Sequence, residues 1–388
     1  MPPVRFHALG LFAGSFPTPG AFSQTGRPAP SRLSMPQPTV FTLVLEREDP
    51  LGVLTSTAPV VQRAAHVSLD PEAVLRFVAN HPRTAPPALP ALPEEALHCT
   101  FLPPLRRLNY LLALEALNFC FWDDPPRWEV PWAGERHDGY WALTAALRRA
   151  IRDDALPLWD AHWLAGLGME GARRLLRGEG RPIPLLEARV SHLNEVGRVL
   201  LERWEGQFAN LVADCAGDAP RLALAIAEAF PSFRDEARWR GQTVRFHKRA
   251  QICVADLARL LPDHPLGRLD GLERLTAFAD YKVPQVLRAH GMLRLSAHLA
   301  ARVDAGEEIP AASEAEIELR AATVWGCEWL ARAYNAALDT PTTAAAEASS
   351  TNPGEAPITA AGVDGMLWAA GQDNTGLPPY HRTRTVYY

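Results

Sequence analysis

Three consecutive side chains in the stretch FADYKVPQVL could bind or react with a ligand: the carboxylate of Asp280, the phenol of Tyr281 and the amine of Lys282. Pro284 follows them and suits the first turn of a helix, and it disfavours helical geometry at Val283. The spacing therefore predicts that the three residues lie on a connector just before a helix N-terminus, where free N–H groups attract anions. Two interpretations remain open: a plain capping carboxylate, or a carboxylate held in a partly apolar pocket.

A second polar group lies in the stretch that begins FPSFRDEARWR. Phe233 and Asp235 fall on a predicted connector, and the helix that follows places Lys248, Ile252 and Asp256 at positions i, i+4 and i+8, close to one face. A cation and an acid on an otherwise apolar face are typical of an internal ion pair. The same spacing also suits the wall of a binding pocket.

Aromatic and basic residues form two further candidate groups. Tyr140 and Trp141 stand at the start of a predicted helix, where a planar ligand ring could stack, although aromatic clusters are also common in cores. Alternation in the C-terminal stretch YHRTRTVYY predicts a short strand with Arg382 and Arg384 on one side. Two neighbouring arginines suit a phosphate or a carboxylate, and they suit the acidic helix that contains Glu318 equally well.

Helical patterns dominate the chain from about residue 60 onward. The motif around Asp70 predicts a helix with proline at its first position, and Ser313 with Glu316 forms a capping box before a long apolar stripe. The fold class is therefore mainly α, with one large helical domain over residues 56–388. The helices predicted after residue 156 are 157–165, 169–178, 184–204, 205–216, 219–229, 246–261, 270–279, 284–290, 293–305 and 313–338.

Irregular composition marks three other parts of the chain. Residues 1–55 are rich in Pro, Ser, Thr and Gly, and only residues 40–48 (VFTLVLERE) read as a strand, which predicts a small β element near the N-terminus. Residues 84–94 are a Pro/Ala linker, and residues 339–357 are predicted to form a flexible loop.

Composition limits the possible functions. The chain has 388 residues, 47% hydrophobic and 21% charged, with a net charge of −5, which disfavours a protein that binds duplex DNA or a membrane surface. Its five cysteines are scattered without metal-ligand spacing, which suits free thiols in a reducing cytoplasm. No apolar run reaches the roughly 18–20 residues of a membrane span. We therefore expect a soluble cytoplasmic protein, and we expect no metal and no organic cofactor.

Seven stretches, in the same order along the chain, resemble the queuosine salvage family of queuosine 5′-phosphate N-glycosylases. The resemblance covers roughly residues 60–388 and includes the terminal motif. The stretches are LNFCFW, GYWALTAALRRA, FPSFRDEA, KRAQICVADL, FADYKVPQVLRAHGML, EIELRAATVWGCEWL and HRTRTVYY.

The resemblance implies a helical fold related to helical DNA glycosylases and cleavage of the N-glycosidic bond of queuosine 5′-monophosphate, which releases queuine. By the same match, Asp280 is expected to act as nucleophile or as stabiliser of an oxocarbenium-like transition state. Phe233, Asp235 and Tyr281 are expected to line the base pocket, and His66 is matched more loosely.

The chemistry of this substrate suggests roles for the remaining polar residues. The deazaguanine ring could stack on Phe233, Tyr140 or Trp141, and its N–H edge could donate to Asp235. The ammonium and hydroxyls of the queuine side chain could meet Asp256 or Glu318. The cations available for the 5′-phosphate are Lys248, Lys282, Arg382 and Arg384.

The partner is then a small-molecule substrate, with no polynucleotide or membrane, and oligomeric state stays open. Two alternatives also remain: a glycosylase for nucleic-acid lesions, and a queuine-binding protein without catalytic activity.

Overall fold

The computed structural model describes residues 41–81, 99–338, 357–372 and 376–388. Helices make up most of this part of the chain, which confirms the mainly α fold class. The fourteen α-helices among these residues are α1 (Val53–Gln62), α2 (Pro71–Asn80), α3 (Pro104–Ala116), α4 (Gly139–Arg152), α5 (Ala161–Ala165), α6 (Met169–Leu175), α7 (Leu186–Trp204), α8 (Phe208–Asp214), α9 (Ala219–Ala229), α10 (Lys248–Leu260), α11 (Lys282–Ala289), α12 (Ala297–Asp304), α13 (Glu314–Leu338) and α14 (Ala360–Ala370).

Short strands form three antiparallel pairs in the same part of the chain. Each sheet has two strands, so the helices rather than a sheet carry the fold. The strands are β1 (Val67–Leu69), β2 (Glu129–Trp132), β3 (Glu135–Asp138), β4 (Glu236–Trp239), β5 (Gln242–Arg245) and β6 (Leu293–Leu295). β1 pairs with β6, β2 with β3 and β4 with β5.

Several helices begin where capping residues predict. Asp70 accepts a hydrogen bond from the backbone N–H of Ala73, with Pro71 at the first helical position. Asp218 caps α9 in the same way by accepting from Arg221 N. These caps satisfy N–H groups that the first helical turn leaves without a partner, so the predicted start of α2 is confirmed.

The long helix α13 separates two hydrophobic clusters. Its Ser313 cap is confirmed, because Ser313 Oγ accepts from the N–H of Glu316 at 3.3 Å. Trp325 packs into the larger cluster, with α3, α4, α7, α9 and α10. Leu330 packs into the smaller cluster, with α2, α11 and α14. α13 is thus buried on nearly all sides, which agrees with its largely apolar sequence.

Two predicted strands at the ends of the chain are wrong. Residues 41–48 form no strand, and the small β element near the N-terminus is β1, which pairs with β6 through Val67 and Leu295. In the C-terminal stretch the burial alternates as expected, with Arg382 and Arg384 facing outward, but a single bridge from Glu308 to Arg382 is the only ladder contact there. Alternating burial alone does not make a strand when no neighbouring strand is present to pair with it.

Other differences come from tertiary contacts that local patterns do not reveal. The predicted helix 270–279 is a short turn followed by extended chain. There the side chain of Gln251 accepts from Thr276 N at 2.8 Å and donates to Thr276 Oγ1 at 3.0 Å. Because these bonds satisfy the backbone, the chain does not need to be helical. The predicted helix 293–305 is β6 followed by α12, and the two hairpins were not predicted.

The remaining predictions about organisation fall largely outside the described residues. Those are the predictions for residues 1–40, for the linker 84–94 and for most of the loop 339–357. Among the residues that the structure describes, no helix has the length and hydropathy of a membrane span.

Candidate active site

Asp280 lies at the N-terminus of α11, at the end of the extended chain that leads into it. Its Oδ1 accepts hydrogen bonds from the backbone N–H groups of Lys282 at 2.8 Å and Val283 at 3.0 Å. The helix begins at Lys282, so Val283 is helical, contrary to the prediction, and Pro284 lies in the first turn as expected. The side chain is buried, and no described residue donates a hydrogen bond to Oδ2. One carboxylate oxygen is therefore fixed and the other is available.

Burial and a nearby cation shift the pKa of Asp280 in opposite directions. Burial raises the pKa of the carboxyl, and the ammonium of Lys248, followed by the N–H groups of the helix terminus, lowers it. Lys248 shows the reverse pattern, because burial lowers its pKa and Asp280, then Glu115, raises it. The two groups are close enough to influence each other, yet they form no direct ion pair among the described residues. Lys248 Nζ instead donates to the backbone carbonyl of Asn118 at 3.5 Å.

Lysine is rare in this chain, and both lysines lie beside Asp280. The chain has 39 lysine and arginine residues, of which only two are lysines, Lys248 and Lys282. Lys282 Nζ donates to the carbonyl of Gly371 at 2.9 Å and lies 5.2 Å from the centre of the Tyr380 ring. A lysine ammonium is a compact charge whose pKa shifts readily on burial, unlike a guanidinium. This rarity is a sequence signal that marks both positions.

Asp235 is buried, and it contacts the backbone of Lys248. Its carboxylate forms a buried two-point ion pair with Arg320, at 2.8 and 2.5 Å, and accepts the backbone N–H of Lys248 at 3.1 Å. Both oxygens are therefore engaged inside the protein. This geometry makes Asp235 the anchor of the start of α10, and its expected contact with the N–H edge of a base stays a prediction.

Phe233 is also in the interior. It follows α9 on a short turn and is completely buried. The guanidinium of Arg249 covers its ring at 4.8 Å and donates to the carbonyls of Glu115 at 3.1 Å and Ala116 at 2.8 Å. The ring therefore supports Arg249 and the end of α3, and in this conformation it offers no face to a stacking ligand.

Aromatic rings lie around the N-terminus of α4. Tyr140 and Trp141 make an edge contact with centroids 5.5 Å apart, and each ring is 6.0 Å from that of Trp368 on α14. All three are partly exposed, as a stacking platform requires. Tyr281, by contrast, packs against Tyr380 at 5.0 Å. Trp368 was not predicted, because its helix is short and far away in sequence.

Glu115, at the end of α3, is fully buried. Its Oε2 accepts from the side chain of Asn118 at 2.9 Å, while Oε1 has no hydrogen-bond partner among the described residues. Burial, and then the nearby carboxylate of Asp256, raises the pKa of Glu115 to about 8. Burial, with Asp256 and Glu115 as the next contributions, also raises the pKa of Tyr140, so the phenol lies close to both acids.

Asp364, on α14, is a second buried acid beside Asp280. Its Oδ1 accepts from the N–H of Phe278 at 2.9 Å. Burial, and then the charge of Asp280, raises its pKa to about 8. We call Glu115, Asp256, Asp280 and Asp364 the acid group. Neither Glu115 nor Asp364 was predicted, although each is a single acid in an apolar helix, in LLALEALNF and AAGVDGMLW.

Glu318 and His66 occupy a different part of the molecule. Glu318 Oε2 accepts from the backbone N–H groups of Ala65 at 3.0 Å and His66 at 2.7 Å, so it fixes the chain before β1. Ligand atoms of His66, Glu314 and Glu318 lie within 4.8 Å of one another, but Arg240 already pairs with Glu314 at 3.0 Å. The expected role of Glu318 in ligand binding stays a prediction.

The two C-terminal arginines are engaged in surface ion pairs. Arg382 contacts Asp124 at 2.9 Å, and Arg384 contacts Glu308 at 3.0 Å. Neither pairs with helix α13, which was the alternative interpretation. Each guanidinium already contacts a surface carboxylate, and their expected role in holding a phosphate stays a prediction.

The acid group lies in the interior, not in the open surface depressions of the molecule. Two such depressions, of about 390 and 370 Å³, are lined by residues near α5–α6 and near α9. They contain none of the acid group and neither lysine. A buried carboxylate with one available oxygen and a neighbouring ammonium can attack, or stabilise charge on, a small electrophilic centre, and this chemistry favours the interior site.

Comparison with known proteins gives a consistent result. A family model described as "Queuosine salvage protein" matches residues 102–388. A protein of Sphaerobacter thermophilus is 43% identical over 341 residues, 88% of this chain and 98% of that protein. A mouse protein is 34% identical over 288 residues, 72% of this chain and 82% of its own length. A Schizosaccharomyces pombe protein is 31% identical over 242 residues, 59% of this chain and 69% of its own. All three are named queuosine 5′-phosphate N-glycosylase/hydrolase.

Proposed function

Because this chain belongs to the queuosine salvage protein family, we propose that it hydrolyses the N-glycosidic bond of queuosine 5′-monophosphate and releases queuine. The observation that carries this assignment is the carboxylate of Asp280. It is fixed through Oδ1 on a helix N-terminus, has Oδ2 available, and lies near the ammonium of Lys248. The match covers 98% of the length of the Sphaerobacter relative, so we propose for this chain the complete activity that the relative's name describes.

The reaction needs a negative charge beneath the sugar. As the bond between C1′ and N9 breaks, its electron pair goes to the base and positive charge develops on the ribose. Oδ2 of Asp280 either stabilises this charge while water attacks C1′, or forms a bond to C1′ that water then hydrolyses. In both cases the oxygen of water ends on C1′, and the proton that this water loses balances the proton that the base takes up at N9. A 7-deazapurine is a poor leaving group because carbon replaces the nitrogen usually protonated at position 7. The enzyme must therefore rely on the electrostatics of the site.

Lys248 has a defined part in this proposal. The carboxyl of Asp280 is buried, and burial favours its protonated, inactive form. The ammonium of Lys248 opposes that effect and favours the ionised carboxylate. Asp235 is held by its ion pair with Arg320 and accepts the backbone N–H of Lys248, which fixes the start of α10. We therefore assign Asp235 a positioning role.

The remaining residues suggest how the nucleotide lies. Tyr140 and Trp141, with Trp368, form the partly exposed aromatic group on which the flat base can stack. Lys282 supplies positive charge next to Asp280, where the 5′-phosphate of a nucleotide held at C1′ would approach the helix N-terminus. Tyr281 packs beside Tyr380 at the same helix end.

The compartment and the partner follow from composition. All five cysteines are buried and free of disulfides, which supports the reducing cytoplasm as the location. The net charge of −5 supports a free nucleotide rather than a polynucleotide as substrate.

The proposal is tested by incubating the purified chain with queuosine 5′-monophosphate and measuring free queuine by liquid chromatography and mass spectrometry. We expect release from the nucleotide and none from guanosine 5′-monophosphate or from intact tRNA that contains queuosine. Binding of queuine without release from the nucleotide would identify a carrier. Release from the polynucleotide would identify a nucleic-acid glycosylase.

A further inference from the structure

Three members of the acid group form no ion pair among the described residues. The group contains four buried carboxyls, and the cations that act on them are Lys248, Arg249 and Arg259 from α10 and Lys282 beside Asp280. Arg259 is paired with Asp256 at 2.8 Å. Arg249 donates to the backbone carbonyls of Glu115 and Ala116, and Lys282 donates to that of Gly371. Glu115, Asp280 and Asp364 are therefore buried carboxyls without a direct cationic partner in the part of the chain that the structure describes.

Glu115 is the member of this group best placed to meet a ligand. It is 0% exposed, and its Oε1 has no hydrogen-bond partner among the described residues. An unpaired buried carboxyl oxygen costs free energy unless something completes its hydrogen bonds. Asp364 differs, because its Oδ1 is occupied by the N–H of Phe278 and its main charged neighbour is the reacting Asp280.

The surroundings of Glu115 also give its position relative to the reaction. Asn118 connects Glu115 with Lys248, because its side chain donates to Glu115 Oε2 at 2.9 Å and its carbonyl accepts from Lys248 Nζ at 3.5 Å. Glu115 is therefore close to the cation that also acts on Asp280, and it lies near the phenol of Tyr140. The titratable and charged groups that face it are Lys248, Arg249, Cys253 and Asp256 from α10, and Tyr140 from α4.

We propose that Glu115 receives the cationic amine carried by the 7-substituent of the base, and that it thereby selects cationic 7-deazaguanine nucleotides over neutral ones. The inference rests on the proposed function. The secondary amine of the queuine side chain supplies a cation that can pair directly with Glu115, while the phosphate and the base edge do not. When this amine binds, Glu115 gives up its proton and forms a charge-assisted hydrogen bond through Oε1. The proton goes to the solvent, and no bond to carbon changes.

The test compares queuosine 5′-monophosphate with 7-deazaguanosine 5′-monophosphate, which lacks the amine. We expect the wild-type ratio of kcat/KM to favour the first, and Glu115→Gln to reduce that ratio by about tenfold or more, since a charged hydrogen bond is lost. Glu202→Gln, an exposed change on α7, should leave the ratio unaltered. An unchanged ratio in Glu115→Gln overturns the inference even though base release continues. Absence of release from both nucleotides by the wild-type chain overturns the proposed function.

A measurement on the wild-type chain does not depend on the folding of the variant. Calorimetry at pH 7, in buffers of different ionisation enthalpy, counts the protons released when queuine or neutral 7-deazaguanine binds. We expect proton release with queuine and markedly less with 7-deazaguanine. Equal proton exchange for the two bases would overturn the inference, and because binding alone is measured, this result is separate from any failure of catalysis.

Discussion

At the scale of single residues, the behaviour of Asp280 depends on a balance between burial and charge. Burial raises the pKa of its carboxyl, and Lys248 is the largest influence that lowers it. Two backbone N–H groups hold the same side chain on the axis of α11. The carboxylate is thus both oriented and poorly solvated, the condition in which an anion most strongly stabilises developing positive charge.

Removal of the cation should alter the pH dependence of the reaction. In Lys248→Met the carboxyl of Asp280 loses the neighbour that favours its ionised form, so its pKa rises. Because the reaction needs the ionised form, the acidic limb of the kcat/KM profile should move to higher pH, with lower activity at neutral pH. The measurement is a pH–rate profile for queuine release.

A control for this profile is Arg198→Met, which removes an exposed cation from α7 and should leave the acidic limb in place. If the limb of Lys248→Met coincided with that of the wild type, Lys248 would have no part in the ionisation of Asp280.

At the scale of elements, hydrogen bonds and one buried ion pair join several elements at the start of α10. Asp235, just before the β4–β5 hairpin, accepts the N–H of Lys248 on α10 and pairs with Arg320 on α13. Arg320 also donates to the carbonyl of Ala279, next to the reacting carboxylate. One buried ion pair therefore joins the hairpin, two helices and the chain that carries Asp280.

Loss of this ion pair should be costly. Arg320→Met leaves the carboxylate of Asp235 buried without its partner, and we expect a loss of about 3–5 kcal/mol in the free energy of unfolding. The same change at Arg302, whose partner Glu307 is exposed, should cost no more than about 1 kcal/mol. Urea unfolding measures both variants. Equal losses would mean that the buried pair contributes no more than a surface pair.

Local sequence patterns predicted some of these elements correctly and others incorrectly. The starts of α2 and α13 were predictable because capping residues act within one turn of the chain. The extended chain before Asp280 was predicted as helix, since the bonds from Gln251 to Thr276 come from another element. The same limit applies to Asp235, because its partner Arg320 is 85 residues away.

At the scale of the whole molecule, the candidate site is assembled from distant parts of the chain. Glu115 comes from α3, Tyr140 from α4, Lys248 from α10 and Asp364 from α14, while Asp280 precedes α11. Asp280 and the lysines could be found from sequence because they lie in short polar stretches. Glu115 and Asp364 could not, because a lone acid in an apolar helix shows its neighbours only once the fold is known.

The buried acids should also make the stability of the folded protein depend on pH. The pKa of Asp364 is about 8 in the folded protein, against an ordinary value of 3.8. Between those values the unfolded chain is ionised while the folded chain holds the proton, so this carboxyl lowers stability as pH rises and has no further effect above about pH 8. Asp364→Asn keeps an oxygen for the N–H of Phe278 and does not titrate.

We therefore expect the melting temperature of Asp364→Asn, relative to wild type, to increase by at least ~2 °C between pH 5 and pH 8. Asp263→Asn, at an exposed position, should show a constant difference. A difference that stays constant or decreases for Asp364→Asn would contradict the assignment of a neutral, buried carboxyl. Differential scanning calorimetry at several pH values provides the comparison.

The most direct test of the whole account is the rate of queuine release from queuosine 5′-monophosphate by Asp280→Asn in single-turnover conditions, with queuine binding measured on the same protein. The amide keeps the shape of the side chain but removes its charge. We predict a rate lower by about 100-fold or more with queuine still bound, while Asp263→Asn reacts like the wild type. Wild-type turnover by Asp280→Asn would contradict the account, because the reaction would then not depend on the carboxylate.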